Sequence, residues 1–214
     1  MKAVDFWFDP ISPFAYLAFE RLPQVLEGLS VEVRFRPVLF AALLQHHAQK
    51  GPAEIEPKRQ WTFRHVHWMA HTHGIALQTP AVHPFNPLPL LRLALACADG
   101  ALGPNRRVVE ALFHHVWQGG GADASDAARL AALTARLQPA RDPASNEVKA
   151  ALRTATDEAV ARGVFGVPSF ELDGRLFWGL DALPMLAAAL GGDAWFESAA
   201  WAEAAAPRPG VVRR

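Results

Sequence analysis

"DFWFDPISPFAYLAFERL" (residues 5–22) runs from an aromatic stretch through a proline-bearing turn into a segment of helical spacing, with Ser12 at the junction. Val4, Phe6 and Phe8 alternate, as one face of a strand requires. Phe14, Leu17, Ala18, Leu22, Val25 and Leu26 repeat at helical spacing, which predicts a helix from Pro13 to about Leu29. Serine is a preferred N-cap and proline suits the first helical position, so Ser12-Pro13 marks the helix start. "VEVRFRP" (residues 31–37) alternates again. Two strands joined by a helix favour a right-handed parallel crossover, and the first forty residues read as a βαβ unit.

From Leu39 to about Arg162 the texture becomes Ala- and Leu-rich with helical periodicity. It is broken at "QKGP", "TPAVHPFNPLP", "ADGALGPN", "QGGGADAS" and "QPARDPAS", which leaves room for roughly five helices. "GVFGVPSFELDGRLFWG" (residues 163–179) then restores a strand signature around an Asp173-Gly174 turn, predicting a β-hairpin, and a helix over Asp181–Leu190 follows. The division is 1–39 and 163–201 as two halves of one α/β domain, 40–162 as an all-helical insertion, and 202–214 as a loosely ordered tail. That is the thioredoxin-like order, βαβ then ββα, with a large helical insert.

Of the 214 residues, 51% are hydrophobic and 20% charged, as in globular chains, and 21 basic residues balance 21 acidic ones. No global field exists to hold nucleic acid or an anionic membrane, and no run of roughly 18 apolar residues occurs. The alternating pattern begins at once, without a basic and then apolar leader, so a cytosolic location is expected. Cys97 is the only cysteine, which excludes an internal disulfide, and "LRLALACADG" places its thiol in a buried helix interior. His67 and His71 lie i, i+4 with His65 and His73 nearby, but no Glu or thiolate accompanies them, so no metal site is expected. His46-His47 and His114-His115 read as surface pairs. Trp7, Trp61 and Trp117 sit in periodic apolar patterns and read as core.

A helix N-terminus following a strand offers unpaired amides and a partial positive charge, which stabilise an anion. In the thioredoxin-like order this junction normally carries Cys-x-x-Cys, whereas here it is Ser12-Pro13-Phe14-Ala15, so dithiol chemistry is excluded. A hydroxyl without a positioned base is a poor nucleophile, yet it can donate a hydrogen bond to a bound thiolate. Ser12 therefore reads either as a plain cap or as that donor. The second signal is Gly166-Val167-Pro168-Ser169 at the head of the hairpin. A proline suits a strand's first residue and tolerates a cis bond there. Facing the helix N-terminus, Val167 would offer its backbone to an extended thiol peptide.

On "DFWFDPISPFAYLA", "RPVLFAALL", "KGPAEIEPKR", "HPFNPLPLLRLALA", "GVFGVPSF" and "FWGLDAL", spread in order over residues 5–183, the sequence resembles the 2-hydroxychromene-2-carboxylate isomerase family, kin of the kappa-class glutathione transferases. The resemblance implies glutathione as cofactor, a cytosolic homodimer and an aromatic carboxylate as substrate. It implies that Ser12 activates the glutathione thiol and that Val167, beside Pro168, binds the tripeptide backbone. Amides from Gly179 through Leu180 to Asp181 would receive the γ-glutamyl carboxylate and Asp181 its ammonium group, although Asp181 also suits an N-cap. Leu180 and Gln49 stand where the family more often has polar residues and a Gly-Asn pair. Lys58 matches a cation that could pair with a carboxylate, and Asn86 either points into the substrate cleft or caps a helix. Phe14 and Trp178 complete the substrate surroundings. A kappa-like transferase and a non-catalytic peptide-binding module are the competing readings.

Overall fold

In a computed structural model the protein is described over residues 1–98, 100, 103–208 and 210. Strand β1 (Lys2–Phe8) leads into α1 (Pro13–Val25), which returns the chain to β2 (Val31–Pro37). The two strands pair in parallel with Phe6 opposite Phe35. Ser12 is the N-cap of α1, its side chain accepting from the Ala15 amide at 3.2 Å. The helix stops at Val25, short of the expected Leu29, and Gly28 turns the chain at φ 78°.

Among the described residues six α-helices, where roughly five were expected, lie between β2 and the hairpin: α2 (Phe40–His46), α3 (Glu56–His73), α4 (Leu88–Ala96), α5 (Arg106–Trp117), α6 (Ala127–Leu137) and α7 (Asn146–Ala161). The shortest of them, α2, is single-sided and buries only Leu43. The hairpin follows as β3 (Ser169–Leu172) and β4 (Arg175–Trp178) around Asp173 and Gly174, both in the left-handed region. It joins the first pair antiparallel, giving one sheet in the order β2-β1-β3-β4. A 3-10 turn (Leu180–Ala182) enters α8 (Leu183–Leu190), so the closing helix begins slightly later than Asp181. A last helix, α9 (Ala199–Ala204), occupies the start of the segment expected to be a loose tail, while residues 209 and 211–214 lie outside the described residues.

Period-two alternation in β1 sorts the two faces of the sheet. Val4, Phe6 and Phe8 join α1, α5 and α8 in the main core, where Phe6 stacks on Phe170 with centroids 4.8 Å apart. Asp5 and Trp7 point the other way. Trp7 packs with Val38, Leu43, Ala159, Val164 and Val167. Asp5 takes Arg34 at 2.6 Å and Arg36 at 2.7 Å, and Glu171, directly opposite it on β3, takes Arg162 at 2.7 Å. Each of the two buried carboxylates thus has cations of its own, which offset the repulsion between them across the ladder.

Three expectations about single residues change. Trp7 and Trp117 are core, but Trp61 is 65% exposed, because α3 turns Val66 and Ala70 inward and leaves Trp61, His65 and Trp68 stacked along its outer face. Cys97 is the C-cap of α4 and half-buried, one residue past the helix interior, and burial raises its pKa. His114 and His115 are not free surface residues: His114 meets Glu20 at 2.8 Å, and His115 Nε2 donates to the Ala124 carbonyl at 2.9 Å.

Candidate functional site

The β1–α1 turn is held from both halves of the chain, which fixes the position of Ser12. Its amide donates to the Asp9 carbonyl at 3.0 Å and closes the turn. Trp117 Nε1 of α5 donates to the Pro10 carbonyl and His83 Nε2 to the Ile11 carbonyl, each at 2.9 Å. A carbonyl only accepts, so His83 carries its proton on Nε2, and burial lowers its pKa. Tyr16, one turn into α1, donates to the Ala76 carbonyl and accepts from Gln118, and burial pushes its phenol up to about 12. The helical segment is thereby pinned to the junction that carries the serine.

Across from this turn, the Val167-Pro168 bond is cis and delivers the Val167 carbonyl to Ser12 Oγ, which donates to it at 3.4 Å. Ser12 is 7% exposed. The two motifs, 155 residues apart in sequence, meet at the N-terminus of α1. They open on a cavity of about 780 Å³ lined by Ser12, Phe14, Gln49, Lys58, Val167 and Trp178, so six of the sequence-predicted residues come together. The walls are aromatic, with Phe40, Phe63, Phe85 and Phe165, and the rim carries Lys50, Lys58 and Arg59. Trp178 packs on Phe165 with centroids 4.9 Å apart and lies over Gly166, where a Cβ would come within 2.7 Å of the indole nitrogen. Any side chain at 166 would push the ring away.

The remaining predicted residues lie outside this lining. Pro168 is buried behind Val167, and its carbonyl accepts from the Gly179 amide at 2.9 Å, tying the cis turn to the entry of the last helix. Leu180 sinks into the main core, so only its backbone can serve a ligand. Asp181 is exposed in the first turn after Gly179 rather than at the N-cap, and its carboxylate folds back against Gly179, whose φ of 98° and lack of a side chain permit this. Asn86 is exposed and its Oδ1 accepts from the Leu88 amide at 3.1 Å, a local bond at the start of α4.

Sequence reasoning passed over Asp9. It is fully buried, lines the cavity, and accepts from the Ile11 amide on Oδ1 and the Phe40 amide on Oδ2, both at 3.0 Å. It thus ties the turn before α1 to the first residue of α2. Burial pushes its carboxyl from 3.8 up to about 7, against a smaller opposing pull from the two amides. His83 was likewise unassigned, although it stands in the quoted "HPFNPLP" stretch. The available signal was an acid inside an aromatic run and a histidine before a proline, neither of which reveals burial.

The shift at Asp9 makes stability depend on pH. Between about pH 4 and about pH 7 the folded chain holds one proton that the unfolded chain has lost, so stability falls as pH rises through this window. A displacement of three pKa units corresponds to roughly 4 kcal/mol. Asp9→Asn should remove that slope, checked by urea unfolding of both proteins at about pH 5 and about pH 8. Buried histidines with lowered pKa values act with the opposite sign, so the difference between the two proteins isolates Asp9.

Among the described residues no three of His, Cys, Asp or Glu gather as a metal cage would require, and no helix is long and apolar enough to cross a membrane. The DSBA-like thioredoxin domain family matches residues 3–191. A solved structure of 2-hydroxychromene-2-carboxylate isomerase superposes with a TM-score of 0.76 at 26% identity, covering 88% of this chain and 94% of that one. The glutathione S-transferase kappa 2 of Caenorhabditis elegans is 26% identical over 87% of this chain and 90% of its own. The 2-hydroxychromene-2-carboxylate isomerase of Pseudomonas putida is 30% identical over 198 residues, 88% of this chain and 94% of its own length. With a serine where the fold's dithiol would stand and with relatives matched almost end to end, the chain belongs to the 2-hydroxychromene-2-carboxylate isomerase family of DSBA-like thioredoxin domains.

Proposed function

We propose that this protein is a glutathione-dependent isomerase of the 2-hydroxychromene-2-carboxylate type, interconverting a cyclic hemiketal carboxylate and its ring-opened hydroxybenzylidenepyruvate. The carrying observation is the meeting of Ser12 Oγ with the Val167 carbonyl at the head of α1, inside an aromatic cavity rimmed by cations. The residues present fit a thiol tripeptide. Ser12 supplies one hydroxyl donor, the first turn of α1 supplies partial positive charge, and Val167 supplies backbone for an extended peptide. Gln49 in the cavity and the backbone amides of Leu180 and Asp181 just beyond its lining would hold the ends of the tripeptide.

When bound, glutathione supplies a thiolate that adds reversibly to a carbon conjugated with a carbonyl, making a double bond temporarily single. The chain's residues do the rest. Ser12 turns its hydroxyl from the Val167 carbonyl toward the sulfur and lowers the cost of the negative charge there. Phe14, Phe40, Phe63, Phe165 and Trp178 enclose the aromatic ring and keep water from it. Lys58, on the first turn of α3, would pair with the substrate carboxylate. A homodimer in the cytosol is the setting proposed with this activity.

Incubation with the hydroxybenzylidenepyruvate should drive the ultraviolet spectrum to the hemiketal equilibrium while free thiol, assayed before and after, stays constant. Stoichiometric loss of thiol would make the protein a kappa-like transferase, and no binding of glutathione at millimolar concentration would make it a peptide-binding module. Lys58→Met should raise KM for the carboxylate substrate about tenfold, the equivalent of ~1.4 kcal/mol, with a smaller change in kcat. An unchanged KM would remove Lys58 from the substrate site.

A further inference from the structure

Among the described residues Asp9 is the acid of the cavity that is wholly closed from bulk water, Glu54 at the rim being exposed. It occupies the same turn as Ser12, whose amide closes that turn on the Asp9 carbonyl. Each carboxyl oxygen accepts one backbone amide, from Ile11 and Phe40, and so retains a further acceptor position. A carboxylate at Asp9 and a thiolate at Ser12 would be two like charges lining one cavity from one turn, an arrangement that pairs of acids avoid by sharing a proton.

We propose that Asp9 takes the thiol proton when glutathione docks at Ser12, so that the carboxyl and the sulfur carry one negative charge between them. The S–H bond breaks, an O–H bond forms on Asp9, and the charge passes from carboxylate to sulfur with no proton given to solvent. The inference rests on the glutathione reading above. A carboxyl raised to about 7 supports it, because near neutral pH the group is balanced between accepting and releasing a proton. The other titratable groups of the cavity are Lys50, Glu54, Lys58 and Arg59 at its mouth and His83 beside Ile11, and the first turn of α1 contributes no acid. Of these, His83 is the competing proton acceptor, since its Nδ1 is enclosed without a partner.

Calorimetric titration of the full chain with glutathione at about pH 8, repeated in buffers of different ionisation heat, counts the protons released on binding. The wild type should release close to none, because an ionised Asp9 receives the thiol proton, and Asp9→Asn should release close to one. Release of one proton by the wild type overturns the proposal, and release of none by Asp9→Asn does so too, since another group such as His83 would then hold the proton. Difference infrared spectra of the wild type provide a readout independent of the variant's folding: a protonated-carboxyl band should arise on binding glutathione, and its absence overturns the proposal. Failure of the wild type to bind glutathione would overturn the glutathione reading and this inference together, whereas binding with one proton released overturns this inference alone.

Discussion

Replacing Ser12 with alanine will lower turnover by about 10²- to 10³-fold, the scale on which loss of a single preorganised donor to a reacting anion is felt. The hydroxyl has two functions in the structure, and they predict different sizes of effect. As the N-cap of α1 it accepts from the Ala15 amide, and losing a cap costs about 1 kcal/mol of stability. As the group facing the Val167 carbonyl across the cavity, it is the donor available to a sulfur placed between the two motifs. Ultraviolet titration of the bound thiolate should therefore show its midpoint moving to higher pH in Ser12→Ala. Ser12→Gly separates the functions, because glycine caps a helix within a few tenths of a kcal/mol of serine yet has no hydroxyl. It should be nearly as stable as the wild type and as slow as the alanine variant. A thiolate midpoint that stays in place in both variants would return Ser12 to a capping role.

Phe6→Ala should cost about 3–5 kcal/mol, a large part of the 5–15 kcal/mol that typically separates folded from unfolded domains. Phe6 is fully buried at the centre of the sheet, opposite Phe35 on one side and Phe170 on the other. Its ring lies 4.8 Å from Phe170, 5.7 Å from Phe8 and 5.9 Å from Phe35. Truncation leaves a cavity that these rings, held by three strands, cannot close. Urea unfolding should show a lower midpoint with the slope unchanged. Because Phe6 is not among the residues lining the candidate site, the folded fraction should keep its turnover. A loss under 1 kcal/mol would mean that the sheet is not anchored through this stack.

The parts of the fold legible in the sequence were those written in short-range code. Alternation named β1 and β2, and a short β-rich run around Asp173-Gly174 named the hairpin. Ser12-Pro13 gave the start of α1 to the residue. Capping, turn chemistry and periodicity each act within a few positions, so a linear reading captures them. Trp61 shows where such a reading stops. A tryptophan at helical spacing is core only if another element covers that face of the helix, and the outer face of α3 is uncovered.

Asp9 shows the same limit within the site. Its place after Phe8 is visible in the sequence, but its altered acidity arises from burial, which no neighbouring residue announces and which prevails over the opposing pull of the Ile11 and Phe40 amides. Asn86 shows the converse, a residue at a suggestive sequence position that spends its side chain on the neighbouring backbone.

By itself, then, the sequence determined the order of strands and helices, the cap at Ser12, the absence of a dithiol and the two motifs that a thiol peptide would need. Only the tertiary structure decided that those motifs face each other at 3.4 Å, that the amides after Gly179 and the side chain of Asn86 lie outside the cavity lining, and that a buried acid stands beside the serine. The physical reason is that hydrogen-bonding geometry within a turn is set by neighbouring residues, whereas burial, and with it the energy of a charge, is set by segments distant in sequence, 31 residues away for Phe40 on Asp9 and 155 for Val167 on Ser12.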